Sequence, residues 1–265
     1  MTPLQAGLAV LSGGVVGFTL GLIGGGGSIL ATPMLLYIVG LPPHVAIGTS
    51  ALAVSANAFA NFAGHARAGN VRWHSAILFA LVGAVGAAGG SILGKALNGQ
   101  RLLFLFALLM IVVGTMMLLQ VRRAASRSAP KQGGVIAPAS VPRVVATALA
   151  VGLLAGFFGI GGGFLIVPGL LFATGMPMIC AIGCSLLAVG TFGLTTATSY
   201  ALSGLIDWLV AALYIAGGLV GGLLGMRLAW RLAVQKAVLN KLFAIVIFAV
   251  AAYMIYRTAA AAGLG

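Results

Sequence analysis

Apolar residues run along this chain in blocks of about 20 with almost no charge inside them, the length that crosses roughly 30 Å of hydrocarbon as an α-helix. Eight such blocks are expected to be helices, at about 4 to 23, 45 to 64, 76 to 94, 102 to 121, 144 to 160, 178 to 203, 209 to 226 and 239 to 256. Two shorter apolar stretches, about 28 to 40 and 163 to 175, come on top of these. Basic residues sit almost wholly in the connectors, so polarity is segregated along the chain and not around each helix. An amphipathic bundle in water needs the opposite arrangement. The expected fold is all-α, a polytopic integral membrane helix bundle.

Sliding the sequence on itself until Pro33 falls on Pro168, a shift of 135, brings two halves into register without a gap from Gly17 to Leu93. Gly17, Gly21 and Gly24 then meet Gly152, Gly156 and Gly159. The string Ala46-Ile47-Gly48-x-Ser50 meets Ala181-Ile182-Gly183-x-Ser185, and the run ending at Trp73 meets the run ending at Trp208. The chain therefore divides into a first transmembrane repeat at 1–121, a linker at 122–143 rich in Arg, Ser, Pro and Gly, and a second repeat at 144–265.

The basic residues choose the relative orientation of the repeats through the positive-inside bias. If the linker with Arg122, Arg123, Arg127, Lys131 and Arg143 is cytoplasmic, the connector holding Arg67 and Arg72 is cytoplasmic too, and Lys95 and Arg101 lie outside. In the second half the bias changes sides. The equivalent of the Arg67 connector carries Asp207 and no base, whereas the equivalent of the Lys95 connector carries Arg227, Arg231, Lys236 and Lys241. Two inverted repeats are expected, with broken or re-entrant Gly-rich segments. Inversion needs an odd number of crossings per half. Either the short stretches cross, or each pairs with its predecessor as a re-entrant hairpin, and the sequence leaves both open.

Composition narrows the function. With 62% hydrophobic and 6% charged residues the chain cannot be divided into a core and a wetted surface, so its partner is a lipid bilayer. A formal charge of +13 would suit nucleic acid only if it formed one continuous basic face, which connector basicity does not. No basic n-region precedes the first apolar block, which is expected to stay attached as a span. Cys180 and Cys184 read as two buried thiols on one helix face. The single carboxylate, Asp207, lies in a connector, so no acid is available within the spans to coordinate a metal, neutralise a cation or relay protons. His44, His65 and His74 lie at span ends and read as interface residues. No nucleophile stands beside a base. No metal, no cofactor and no enzymatic activity are expected.

Candidate chemistry concentrates at two glycine clusters, Gly24, Gly25, Gly26, Gly27 and Ser28 in the first half, and Gly159, Gly161, Gly162 and Gly163 in the second. Each ends a spanning block and precedes a proline, Pro33 or Pro168. Consecutive glycines should unwind a helix. Unwound backbone at membrane depth is tolerated where it lines a wet cavity, and freed amides ahead of a new helix make an anion nest. Close helix packing is the competing reason for so many glycines. The helix after each short stretch carries polar side chains at helical spacing, Thr49, Ser50, Asn57 and Asn61 in one half, Cys184, Ser185 and Thr191 in the other, with Thr195 and Thr196 beyond. Such stripes line a path or bond helix to helix.

The Gly-Gly-Gly-Gly-Ser-Ile-Leu-Ala-Thr-Pro run at 24–33, its partner Gly-Ile-Gly-Gly-Gly-Phe-Leu-Ile-Val-Pro at 159–168, the Ala-Ile-Gly-Thr-Ser run at 46–50 and the duplicated layout resemble the sulfite exporter TauE/SafE family. The resemblance covers nearly the whole chain. It implies a secondary transporter, generally an exporter, of a small sulfur-containing anion such as sulfite or an organosulfonate, with no ATPase subunit, in the cell (inner) membrane. The alternatives are a passive anion channel and a membrane assembly protein whose glycines serve only packing. Cys184, where the first half has Thr49, departs from the symmetric pattern. The oligomeric state has no signature here.

Overall fold

The computed structural model describes residues 3–124, 141–159, 163–176, 178–231, 248, 250–254 and 256. Most of the expected linker, most of the last expected span, and Gly161 and Gly162 lie outside the described residues. The elements are helical throughout: α1 (Pro3–Ile23), a 3₁₀ segment (Gly24–Leu30), α2 (Ala31–Met34), a π turn (Leu35–Val39), α3 (Pro43–Arg67), α4 (Trp73–Ala96), α5 (Gly99–Ala124), α6 (Val141–Phe158), α7 (Gly163–Thr174), α8 (Met178–Ala201) and α9 (Trp208–Arg231). Among the described residues, six helices are long and apolar enough to cross a membrane. The chain is an all-α, multi-pass membrane helix bundle.

The chain forms two compact units, Met1–Ala96 with Gln132–Ala229, and Leu97–Lys131 with Trp230–Gly265. Each takes residues from both sequence halves. The second contains α5.

Helix ends follow local chemistry. Pro43 opens α3 at the position where a missing N–H is harmless, and Gly69, in the left-handed region at φ 71°, closes it while Asn70 N–H donates to the His65 carbonyl at 3.0 Å. The equivalent Gly204 at φ 68° closes α8, with Leu205 N–H donating to the Tyr200 carbonyl at 3.0 Å. The first short stretch does not unwind at its glycines. It tightens into a 3₁₀ helix, whose rise of about 2.0 Å per residue reaches further than an α-helix at about 1.5 Å. Pro33 then removes a backbone donor, and the chain widens into the π turn before Gly40 ends it at φ 84°.

Glycine contacts give the helix directions. A Cβ on Gly17 would fall on the Gly218 carbonyl, and one on Gly21 on the Gly222 carbonyl, so α1 and α9 run parallel. Asn57 sits on Gly218 and Asn61 on Gly222, so α3 runs with them. These three helices form a parallel trio, and the stretch 24–39 must carry the chain back between α1 and α3. Shifting every contact by 135 reproduces a second trio from α6, α8 and α4: Gly152 meets Gly83, Gly156 meets Ala87, and Phe192 sits on Gly83. In each trio one helix comes from the other sequence half.

The trios meet where α3 crosses α8. Here the order reverses: Gly48 lies by Tyr200, Ala51 by Gly193, and Asn70 by Gly183, so α3 and α8 are antiparallel. At the crossing, the Ser55 hydroxyl donates to the Gly190 carbonyl at 2.7 Å, and the two residues are 135 apart.

The seams set a stability test. Gly17→Ala and Gly152→Ala place a methyl on facing backbone, where overpacking costs about 1–3 kcal/mol, whereas Gly89, with open space around it, should accept Ala with a gain of up to about 1 kcal/mol. Thermal unfolding in detergent should show lower midpoints for the first two variants and an unchanged or higher one for Gly89→Ala. Equal behaviour of all three would contradict seam packing.

Candidate functional site

The polar residues of α3 and α8 gather around the trio interface, but they do different work. Thr49 and Cys184, equivalent under the shift, each cap a connector of the opposite half. The Thr49 hydroxyl accepts from the Asp207 backbone N–H at 3.0 Å, and the Cys184 sulfur accepts from the Arg72 N–H at 3.3 Å. Neighbouring Gly48 and Gly183 admit the same connectors, since a Cβ at either would strike the Leu205 or the Asn70 carbonyl. Replacing a hydroxyl by a thiol thus keeps the cap, with a weaker acceptor. Asp207 in turn caps its own helix, its carboxylate accepting from Val210 N–H at 3.0 Å.

Ser50 bonds back to the Ile47 carbonyl at 2.9 Å and shares a 2.8 Å hydrogen bond with Thr32, which pins α2 to α3. Its equivalent Ser185 bonds back to Ile182 at 2.8 Å, with Val167 in the place of Thr32. The Thr191 hydroxyl donates to the Leu187 carbonyl at 2.7 Å and Thr195 to the Thr191 carbonyl at 2.9 Å, both within α8. These hydroxyls are committed to backbone.

The amides differ. Asn61 donates to the Asn57 carbonyl at 2.9 Å. Asn57, 1% exposed, has no hydrogen-bond partner for either side-chain polar atom among the described residues, and the buried hydroxyls of Thr196, Tyr200 and Tyr214 are in the same position. An unpaired polar group in an apolar interior is expensive, so these are the groups with bonding capacity to offer.

The glycine clusters approach this region from opposite ends. In the first, Gly24, Gly25, Gly26, Gly27 and Ser28 open the 3₁₀ segment, which packs on α1 and α7. Gly27 is held against Leu20 and Thr19, near the level of Asn61, and Ser28 is fully buried. In the second, Gly159 ends α6 in the left-handed region at φ 67° and would drive a Cβ into Ile47 on the first turns of α3, while the buried Gly163 opens α7. Ile47 and Asn61 are separated by about 21 Å of helix, so the clusters flank the middle of α3. Ser55, Thr32 and Tyr214 escaped the sequence reading. Only the alignment of the halves signals them, through Gly190, Val167 and Phe79 at the matching positions.

The sequence pattern of the family described as "Sulfite exporter TauE/SafE" matches residues 9–254. A "Probable membrane transporter protein" of Xylella fastidiosa (strain 9a5c) is 55% identical over 93% of this chain and 94% of its own. YunE of Bacillus subtilis (strain 168), of the same description, is 27% identical over 79% of this chain and 83% of its own. A similarly described protein of Methanocaldococcus jannaschii, MJ0441, is 29% identical over 77% of this chain and 72% of its own. No solved structure matches.

The crossed caps predict that Thr49→Val lowers stability by about 1 kcal/mol and that Thr49→Ser largely restores it. Cys184→Thr should leave stability unchanged or raise it, because it recreates the stronger acceptor. Detergent unfolding midpoints check both, and a neutral Thr49→Val would remove the cap from the account.

Proposed function

Because the chain belongs to the sulfite exporter TauE/SafE family, a family of membrane transporters and not of enzymes, we propose that it is a secondary transporter exporting a small sulfur-containing anion such as sulfite or an organosulfonate. The halves 1–121 and 144–265 act as inverted repeats joined by a cytoplasmic linker at 122–143, in the cell's inner membrane. The observation that carries this reading is the antiparallel crossing of α3 on α8 at Ser55 and Gly190, with one glycine-rich break on either side of it. Equivalent spanning helices of parallel repeats would run the same way across a bilayer; those of inverted repeats oppose each other. Since α1 and α3 run in the same direction, the stretch 24–39 is a short return crossing in this reading, and each half crosses an odd number of times.

The sign of the substrate follows from the donors. The one carboxylate in the sequence is engaged at the start of α9. The Asn57 amide and the hydroxyls of Thr196, Tyr200 and Tyr214, buried and without a hydrogen-bond partner among the described residues, offer donors without any acid to attract a cation. A compact oxyanion carries enough acceptor oxygens to offset its desolvation there.

Two measurements test the reading. Arg67 and Leu202, exposed and equivalent under the shift, should become reactive from opposite sides of the membrane when replaced singly by Cys in a chain lacking Cys180 and Cys184. Labelling of both from one side would leave a parallel duplication. Reconstituted protein should move sulfite or a small sulfonate among a panel of oxyanions, and sulfite should raise the unfolding midpoint in detergent. Stabilisation by sodium or ammonium whatever the counter-anion, with no response to any oxyanion, would overturn the anion assignment.

A further inference from the structure

The two trios repeat the glycine seam between α1 and α9 in that between α6 and α4, and differ in the pair that sits on Gly218 or Gly83. In the second trio, Phe192 sits on Gly83 and stacks on Phe79, with ring centroids 6.2 Å apart and an interplanar angle of 21°. The equivalent residues of the first trio are Asn57, seated on Gly218, and Tyr214, one turn before Gly218 on α9. A dry aromatic pair in one half is thus an amide and a phenol in the other. Asn57 is 1% exposed and Tyr214 0%, and among the described residues the Asn57 amide nitrogen, its oxygen and the Tyr214 hydroxyl all lack a hydrogen-bond partner.

Three unpaired polar atoms at positions equivalent to one stacking pair are not needed for packing, because the Phe pair shows that the equivalent helices α4 and α8 pack without them. Their depth agrees with a functional role. Asn57 lies near the middle of α3, between the level of Ile47, against Gly159, and that of Asn61, near Gly27. Unpaired polar side chains at mid-membrane facing the bundle interior mark a substrate position.

We infer that the anion is held on one side of the pseudo-symmetric core, by the Asn57 amide and the Tyr214 hydroxyl between α3 and α9, and not symmetrically at the two glycine clusters. The inference rests on the transport reading above and gives its site a location. The groups are neutral, so the site takes a small, singly charged oxyanion: the amide N–H and the phenol O–H donate to its oxygens, and the amide oxygen accepts from a hydroxyl of the anion where it has one. A doubly charged ion would be left without a compensating cation there. Gly218 is required beside the site, because any Cβ there would take the space of the Asn57 amide.

The test uses the full-length protein in detergent with sodium sulfite as the probe, at mildly acidic pH where the anion is mostly the singly charged hydrogensulfite, followed by its efflux from proteoliposomes. Tyr214→Phe removes only the unpartnered hydroxyl. Its ligand-free unfolding midpoint should be unchanged or higher, while its sulfite affinity should fall about tenfold or more, as for loss of one hydrogen bond to a charged group. Asn57→Ala should weaken sulfite binding at least as much. The mirror variant Phe79→Tyr, which adds a hydroxyl to the dry side, should keep affinity within about twofold of wild type, the ordinary scatter of a remote substitution. Sulfite binding unchanged in Tyr214→Phe, or equally weakened in Phe79→Tyr, overturns the one-sided site while leaving transport standing. A wild-type protein that responds to no oxyanion overturns the transport reading and this inference together.

Discussion

Lipid tails are as apolar as leucine, so hydrocarbon gives two helices no hydrophobic reason to associate; what holds them is how closely their backbones can approach. The glycine seams answer that constraint. Within each trio the helices run parallel, an arrangement their dipoles disfavour, and the side chains that would keep them apart are missing at Gly17, Gly21, Gly152 and Gly156. Carbonyl oxygens of the facing helix lie where a Cβ would be, so Cα–H groups point at them, and such contacts add modest attraction along a seam. Asn57 and Phe192 reach the interior only because Gly218 and Gly83 leave room.

The same economy of space interlocks the halves. Each trio borrows a helix from the other repeat, and each connector after α3 or α8 is capped by the opposite half through Cys184 or Thr49. The antiparallel pair α3 and α8 is thereby fixed at its middle by Ser55 and near its ends by the capped connectors. This fixes the glycine-rich breaks on opposite sides of the crossing, with the polar stretch of α3 between them.

Much of this was legible before any coordinates. Block lengths gave the long helices to within a few residues, and the 135-residue shift anticipated paired glycines that turn out to be contacts with the partner's equivalents. What stayed hidden was tertiary. A run of four glycines reads as a break, but whether it opens or tightens depends on what packs beside it, and a side chain at Gly27 would have no room against Leu20 and Thr19. Thr49 lies among the polar residues of α3 with Asn57 and Asn61, and Cys184 in a stripe of α8 with Thr191 and Thr195, yet they face connectors 158 and 112 residues away. Periodicity gives a face and not the neighbour on it. Tyr214 lay in an ordinary apolar span, and only its alignment with Phe79 sets it apart.

The borrowed helix also has a consequence for how the chain is made. Synthesis runs at about 5–20 residues per second, so the roughly 140 residues between the end of α3 and the start of α9 take on the order of ten seconds to emerge. Throughout that interval α1 and α3 are in the bilayer without the helix that completes their trio, and the Asn57 amide has not yet been covered by Gly218. The first half must therefore wait in the membrane as an unfinished subdomain with an amide side chain at mid-helix unshielded. Assembly factors or the insertion machinery would have to accommodate such an intermediate, whereas the second trio has no comparable wait, because α4 is already present when α6 and α8 arrive.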